Sequence, residues 1–297
     1  MKKTSLGVIG LSEGNGHPYS WSAICNGFDM NYMKDCPFPV IPEYLSKEKY
    51  PGDFIQDANV THIWTQDRTI SEHVAKASKI GNIVTDYHDM IGKVDAILLA
   101  RDDAENHLEM CRDFIEAGMM VYIDKPLAFS TENALKIFKL EKFPGQVFSC
   151  SAMRYAKELR NGIDKIKTIG KINYIDACVM KRWDTYSAHI IDPMLMLLDD
   201  KVSIREHISI KNDFAQGVIL KLVDGMIINL MSHKNENSPM YVNVFGEYGN
   251  VLIEFDDTFY AFRETLKQFI ISVKNRKSVI SKDHMLKLVD IINRGNQ

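Results

Sequence analysis

Apolar residues in the first 128 positions fall into short compact blocks separated by longer stretches with helical spacing. Residues 5–10 (SLGVIG), 59–65 (NVTHIWT), 94–100 (VDAILLA) and 120–123 (MVYI) are apolar runs bounded by polar or glycine residues, and they read as buried strands. Pro18 suits the first turn of a helix that Gly27 ends. Thr69 and Glu72 have capping-box spacing ahead of the stripe Val74, Ala75, Ala77 and Ile80, which Gly81 terminates. Asp102 and Glu105 repeat that spacing ahead of Leu108, Cys111, Phe114 and Ile115, so a helix is expected over 102–118. This alternation predicts βαβ units and a parallel sheet. One stretch interrupts it. NYMKDCPFPVIPEYLSKEKYPGDF carries four prolines and many aromatics, which forbid a long regular element, so about 29–56 is expected to be an irregular insertion.

From residue 147 the period shortens. VFSCSAMRY, KINYIDACVMKRW, GVILKLVDGMIINLMSH and MYVNVFGEYGNVLIEF favour strands, with alternation at Leu220-Lys221-Leu222 and across 241–245. DG at 224–225 and GEYG at 246–249 are hairpin signals. Helices are expected at 155–167, 187–198, 258–274 and 282–293. The pattern predicts an α/β chain with two domains. A parallel-sheet domain covers 1–128. A C-terminal α+β domain with an open, mainly antiparallel sheet covers 129–297.

The 297 residues have ample length for two cores. A net charge of -3 favours neither a nucleic-acid nor an anionic-membrane partner. Five scattered cysteines without a CxxC pair fit a reducing, cytoplasmic setting. No metal is expected, because no histidine–cysteine–carboxylate cluster has ligand spacing. The N-terminal apolar run is too short for a signal peptide, and no run approaches the ~18 apolar residues of a membrane span.

In open parallel sheets, ligands bind beyond the carboxyl ends of the strands. That rule selects 10–17, 66–68, 100–103 and 124–126, all polar or glycine-containing. The first, GLSEGNGH, follows a strand as a phosphate-cradling turn would, with Gly10, Gly14 and Gly16 off the usual register. Counting from Gly10, the second and third glycine positions of Gly-x-Gly-x-x-Gly fall on Ser12 and Asn15. A diphosphate is expected at the amides of residues 12–17, including Glu13, with His17 at the mouth. Asp67 ends the second strand, where an acid would bond ribose hydroxyls; the insertion accounts for its distance from Gly10. A helix N-terminal role is its structural alternative. Arg68 beside it suits a 2′-phosphate, so NAD and NADP both stay open, with the acid favouring NAD.

VDAILLARDDAENHLEMCRDFIEAGMMVYIDKPLA, residues 94–128, resembles the Gfo/Idh/MocA oxidoreductases, the family of glucose–fructose oxidoreductase and inositol dehydrogenase. In that family the segment ends in Glu-Lys-Pro; here Asp124 replaces the glutamate ahead of Lys125 and Pro126. Weaker matches are Arg154-Tyr155, Gly170-Lys171-Ile172, His189-Ile190-Ile191-Asp192 and the closing helices. The resemblance implies an N-terminal Rossmann domain holding NAD or NADP. It also implies a second domain whose open sheet covers the substrate and often forms a dimer face. The substrate implied is a sugar, sugar nucleotide or cyclic polyol, oxidised at a secondary alcohol.

Lys125 is then the expected catalytic residue, bonding the hydroxyl that loses its proton, with a salt bridge as the structural alternative. His189 is the expected acid/base partner. The resemblance places an aspartate four residues earlier, where this chain has Thr185; Asp184 is one residue off. Ala100, Arg101, Asp102 and Asp124 are expected along the cofactor pocket, and His107 either packs or contacts the cofactor. Arg154, Tyr155, Trp183, Thr185 and Tyr186, with Lys181, are candidate substrate contacts. Two other readings stay open: a non-catalytic dinucleotide-binding sensor or scaffold, and an enzyme that uses NAD transiently without net redox change.

Overall fold

The computed structural model describes residues 2–198, 202–234 and 237–297. They form two compact units. The first holds Met1–Leu127, Leu135–Ser149 and Phe262–Ser281, and the second holds Ala128–Ala134, Cys150–Ala261 and Lys282–Gln297.

The first unit contains a six-stranded, all-parallel sheet of β1 (Thr4–Ile9), β2 (Ala58–Trp64), β3 (Asn82–Ile83), β4 (Ala96–Leu99), β5 (Met120–Ile123) and β6 (Val147–Phe148). Their spatial order is β3-β2-β1-β4-β5-β6. This is the doubly wound arrangement expected, and its order reverses between β1 and β4, the switch point at whose carboxyl ends such sheets bind ligands. β4 and β5 are buried at every residue, as strands covered on both faces must be. Helix α1 (His17–Asn26) begins one residue before Pro18 and stops at Gly27, whose φ of 76° only glycine adopts freely.

The insertion holds more regular structure than its prolines suggest. Asp29 caps a four-residue turn, α2 (Met30–Met33), and Val40–Leu45 forms α3. Met33, Ile41 and Leu45 are buried, and α3 packs on α1, so the insertion is seated against the rest of the unit. Two helix starts differ from the capping-box reading. Helix α4 (Arg68–Ala77) is capped by Asp67, not Thr69, because Asp67 accepts from the Thr69 amide at 2.7 Å. Helix α5 starts at His107 and runs to Glu116, five residues later than Asp102. The carboxylates of Asp102 and Asp103 are engaged by Ser12 and Arg101 instead of by helix amides, and 101–106 stays a loop.

Two later segments complete this unit. VFSCSAMRY yields only the short β6, paired to β5, and its C-terminal part turns into a 3-10 helix at Ala152–Tyr155. The helix Thr258–Asn275 contributes its residues from Phe262 onward. Phe269 packs within 5.6 Å of the Tyr122 and Phe148 rings. A single boundary at 128/129 therefore does not describe the chain; strand pairing and aromatic packing return later segments to the first unit.

The second unit is built on β7 (Ile172–Met180), β8 (Ile204–Lys211), β9 (Ala215–Leu222), β10 (Ile227–His233), β11 (Tyr241–Gly246) and β12 (Gly249–Glu254), in the order β12-β11-β7-β10-β9-β8. All neighbours are antiparallel except β7 and β10. Val218, Leu220, Ile228, Leu230, Val242 and Val244 are fully buried, and the residues between them are half-buried or exposed. β8 goes beyond the strands expected, because IREHISIK lacks a clean period of two. Helices Lys157–Ile166, Ala188–Leu197 and Lys282–Arg294 lie close to the predicted spans. Among the described residues, no helix is long and apolar enough to cross a membrane.

Phe269→Ala removes a ring fully buried in the first unit's aromatic cluster. It is expected to lower stability by about 3–5 kcal/mol, seen as a drop in the denaturation midpoint. A midpoint unchanged from the native chain would mean that this helix is not part of that core.

Candidate functional site

The loop after β1 is tied to the ends of β4 and β5 by side chains rather than by backbone. Ser12 Oγ donates to Asp102 Oδ1 at 2.6 Å, and the Asp102 amide donates back to Ser12 Oγ at 3.1 Å. Asn15 Nδ2 donates to Asp124 Oδ2 at 2.8 Å, while Asn15 Oδ1 accepts from the His17 amide at 2.8 Å. His17 Nδ1 lies 2.5 Å from the same Asp124 oxygen. The other Asp124 oxygen accepts from the Lys125 amide at 2.8 Å. Lys125 Nζ sits 3.5 Å from Asp102 Oδ2, its side chain 6% exposed. Two straps thus run from the loop to the lysine: Ser12–Asp102–Lys125, and Asn15 with His17 through Asp124.

Asp124 is the most constrained charge in the unit. Burial alone would raise its pKa, but the His17 and Lys125 charges and the hydrogen bonds from His17 and Asn15 outweigh burial and hold it at about 2. His17 is fixed in turn by stacking on Trp21 at 4.6 Å and by the edge of Phe262 at 5.0 Å. Its expected place at the cofactor mouth is therefore shared with a structural duty.

The loop's glycines serve different ends. Gly14 has a φ of 77° and open space where a side chain would be. At Gly16 a Cβ would lie 2.7 Å from the Phe38 ring and 2.6 Å from Ile41, so this glycine admits the insertion against the start of α1. Of the amides expected to meet a diphosphate, Asn15 N is bonded to Ser12 O and His17 N to Asn15 Oδ1. Those of Glu13, Gly14 and Gly16 have no hydrogen-bond partner among the described residues. They are available to phosphate oxygens at the positive end of α1, so the loop fits a dinucleotide through fewer amides than the full 12–17 stretch.

Gln66 carries no mark of function in the sequence, yet it clamps the loop. Its Oε1 accepts from Leu11 N at 2.9 Å and its Nε2 donates to Leu11 O at 2.6 Å. Arg101 donates to Gln66 Oε1 at 3.2 Å and to Leu11 O at 3.3 Å, and pairs with Asp103 at 2.5 Å. A glutamine beside a strand-end acid gives no signal without its partner's position. Asp67 is exposed and caps α4, and Arg68 pairs with Glu72 one turn on. Ala100 N bonds Ile9 O at 2.8 Å, joining β4 to β1 at the switch point. His107 is fully buried, with Nε2 2.9 Å from Arg101 O and Nδ1 3.1 Å from Leu127 O, which is a packing role.

In the second unit, His189 Nδ1 lies 2.8 Å from Ser151 Oγ, and its ring meets Tyr186 edge-on at 5.5 Å. Tyr186 OH accepts from Lys181 Nζ at 3.0 Å. Asp192, fully buried, does not reach the histidine. It accepts from the Ser151 amide at 2.7 Å, Arg154 Nη1 at 2.7 Å and His284 Nε2 at 2.8 Å. Burial pushes its carboxyl up, yet Arg154 and His284 hold it below the usual range. Arg154 is thereby committed to an internal ion pair, with Tyr155 under its guanidinium at 5.5 Å. Trp183 is core: its Nε1 donates to Ile292 O at 2.9 Å and its ring leaves no room for a side chain at Gly295. Thr185 is half-buried, and Asp184 pairs with Arg182 rather than with His189. Among the described residues, no group of three or more metal-ligating side chains occurs.

Residues 46–151 match the Gfo/Idh/MocA oxidoreductase family, described by its NAD-binding Rossmann fold. The match is a likeness over that part of the chain alone, and it begins after the glycine loop whose register departs from the usual pattern. No curated protein matches the chain in sequence. Among solved structures, myo-inositol dehydrogenase from Lactobacillus casei in complex with NAD(H) and myo-inositol is 14% identical, with 99% of this chain and 94% of that one covered and a TM-score of 0.77. For myo-inositol 2-dehydrogenase from Lactobacillus plantarum the values are 16%, 98%, 95% and 0.75. For GenD2 from gentamicin A biosynthesis in complex with NAD they are 13%, 100%, 94% and 0.74. At these identities the likeness is one of fold, and it spans both units.

The depressed pKa of Asp124 links it to acid stability. Its stabilisation is fully present above the ordinary value of 3.8 and is lost as pH falls through about 2. Asp124→Asn is expected to be less stable than the native chain by on the order of 2 kcal/mol at neutral pH. The difference should shrink as pH falls from 3.8 toward about 2. Denaturant titrations at several acid pH values check this, and a gap that stays constant would remove the linkage.

Proposed function

Proceeding from the family match, we propose that this protein is an NAD-dependent dehydrogenase acting on a secondary alcohol of a carbohydrate-like substrate, a cyclic polyol foremost. The observation that carries the proposal is Lys125: a buried ammonium at the carboxyl end of β5, next to the sheet's switch point, 3.5 Å from Asp102, with its backbone amide bonded to Asp124. The like fold of inositol dehydrogenases, one of them with myo-inositol bound, supports the substrate class.

The glycine loop would hold the diphosphate through the amides of Glu13, Gly14 and Gly16, and Asp67 would take the ribose hydroxyls, which favours NAD over NADP. The bound nicotinamide supplies the hydride acceptor. Lys125, with its ammonium 3.5 Å from Asp102, hydrogen-bonds the substrate hydroxyl as the hydride leaves, and the proton goes to an acid/base partner, the role expected of His189. His189 is the second substrate-contacting group, and Tyr186 and Thr185 flank it in sequence. Arg154 and Trp183 drop out as contacts, since an ion pair and a core hydrogen bond already occupy them. The half-buried face of the second sheet, with Tyr174, Asn229 and Tyr241 converging on Asp176, supports assembly into a homo-oligomer. Five free, scattered cysteines support a cytoplasmic setting.

Incubating the protein with NAD+ and a panel of myo-inositol, scyllo-inositol and common aldoses should raise NADH absorbance with at least one. Cofactor binding without turnover of any would favour a sensor. A tightly held cofactor that never exchanges would favour transient use. Lys125→Ala is expected to cut kcat by roughly 10²–10⁴-fold with NADH affinity nearly unchanged. Near-native turnover in that variant would remove the lysine from the chemistry.

A further inference from the structure

We infer that Gln66 is a positioning residue for the cofactor: its side chain fixes the start of the glycine loop relative to Asp67, so that the diphosphate and ribose contacts of one dinucleotide are in place before it binds. The inference rests on the dinucleotide-binding reading of this loop; the clamp itself rests on hydrogen bonds within the first unit.

Backbone pairing between β1 and β2 runs out at this point. Ile9 stands opposite Trp64, and Gly10 N donates to Trp64 O at 3.0 Å. Beyond Trp64 the chain turns toward α4. Thr65 N donates to Ser71 Oγ at 2.9 Å, and Thr65 Oγ1 donates to Asp67 O at 2.6 Å. With Asp67 capping α4, residues 65–67 are held to that helix. Among the described residues, no backbone bond joins Leu11 to 65–67. The Gln66 carboxamide bridges the gap, accepting from Leu11 N at 2.9 Å and donating to Leu11 O at 2.6 Å. A carboxamide offers the same donor and acceptor as a peptide group. The side chain therefore continues the pairing of the sheet by one residue where the main chain has turned away.

Arg101 secures the pair from the end of β4. Its Nη1 donates to both acceptors, Leu11 O and Gln66 Oε1. Asp103 holds its Nε and Nη2, and Asn106 Nδ2 donates to Asp103 at 2.6 Å. The ends of β2, β1 and β4, neighbours in the sheet, are thus joined across the switch point. Burial does not demand this. Gln66 is exposed, and water would satisfy its carboxamide in any rotamer. Committing both polar atoms to Leu11 costs side-chain freedom. What it yields is a loop whose open amides at Glu13, Gly14 and Gly16 start from a fixed point, next to the residue expected to take the ribose hydroxyls. A ligand that uses both contacts binds more tightly because they are ordered beforehand. A ligand without the diphosphate gains nothing from the clamp.

Gln66→Met keeps the side-chain length and removes the hydrogen bonds. Binding of NADH, ADP-ribose and adenosine to the full chain tests the inference, together with hydrogen exchange at the Leu11 amide. The variant should bind NADH and ADP-ribose about 3- to 10-fold more weakly than the native chain. It should bind adenosine, which lacks the diphosphate, as the native chain does, and exchange the Leu11 amide faster. Native affinity for NADH, native exchange at Leu11, or an equal loss for all three ligands would overturn the inference. Should Gln66→Met not fold, Gln66→Asn, whose carboxamide is one methylene too short for Leu11, is expected to show the same selective loss. A native chain that binds neither NADH nor ADP-ribose would remove the dinucleotide reading and the role of Gln66 with it. A native chain that binds both, matched by the variant, would remove the role of Gln66 alone.

Discussion

The buried carboxylate of Asp124 is the constraint around which the first unit is organised. A charge removed from water needs partners in good geometry, or it destabilises the fold. Here the partners come from the loop after β1 and from the start of α1: Asn15 Nδ2 and His17 Nδ1 on one oxygen, with the Lys125 amide on the other. Satisfying that charge therefore closes the loop over the sheet and orients the backbone of Lys125 in a single arrangement. The departures in this chain make sense together. An aspartate in place of a glutamate reaches less far, and an asparagine at the third glycine position with a histidine at the helix start meets it.

A second buried carboxylate plays a parallel part in the other unit. Asp192 gathers the Ser151 amide, Arg154 and His284, joining the 3-10 turn at 152–155, the Ala188–Leu197 helix and the C-terminal helix. Both carboxylates lie beneath a candidate functional side chain rather than in contact with solvent, and both act through an intermediary: a backbone amide for Lys125, a serine hydroxyl for His189. A rigid polar partner beneath a side chain is what holding it in one geometry requires.

Several features are legible in the chain's own pattern. Apolar runs such as VDAILLA and MVYI can only be strands covered on both faces, and the rule that ligands gather at strand carboxyl ends picks out Lys125, Asp102 and the glycine loop. Capping boxes mislead twice. Thr69 and Asp102 have the right spacing, but Asp67 takes the cap in one case and Ser12 recruits the carboxylate in the other. Arg154 and Trp183 look like substrate contacts by position in the chain. Their partners, Asp192 and Ile292, are 38 and 109 residues away.

Period, punctuation and residue type, which are local properties, settled the number and kind of most elements, the parallel sheet followed by an antiparallel one, and the place of Lys125 just after a buried strand. Tertiary structure alone decided which side chains are spent on each other. It sent β6 and the end of the Thr258–Asn275 helix back to the first unit, turned Gly16 into a seat for the insertion, and gave Gln66 its clamp on Leu11. The physical reason is that hydrogen-bond and charge satisfaction in a buried site depends on groups far apart in the chain, and no local pattern encodes which of them will meet.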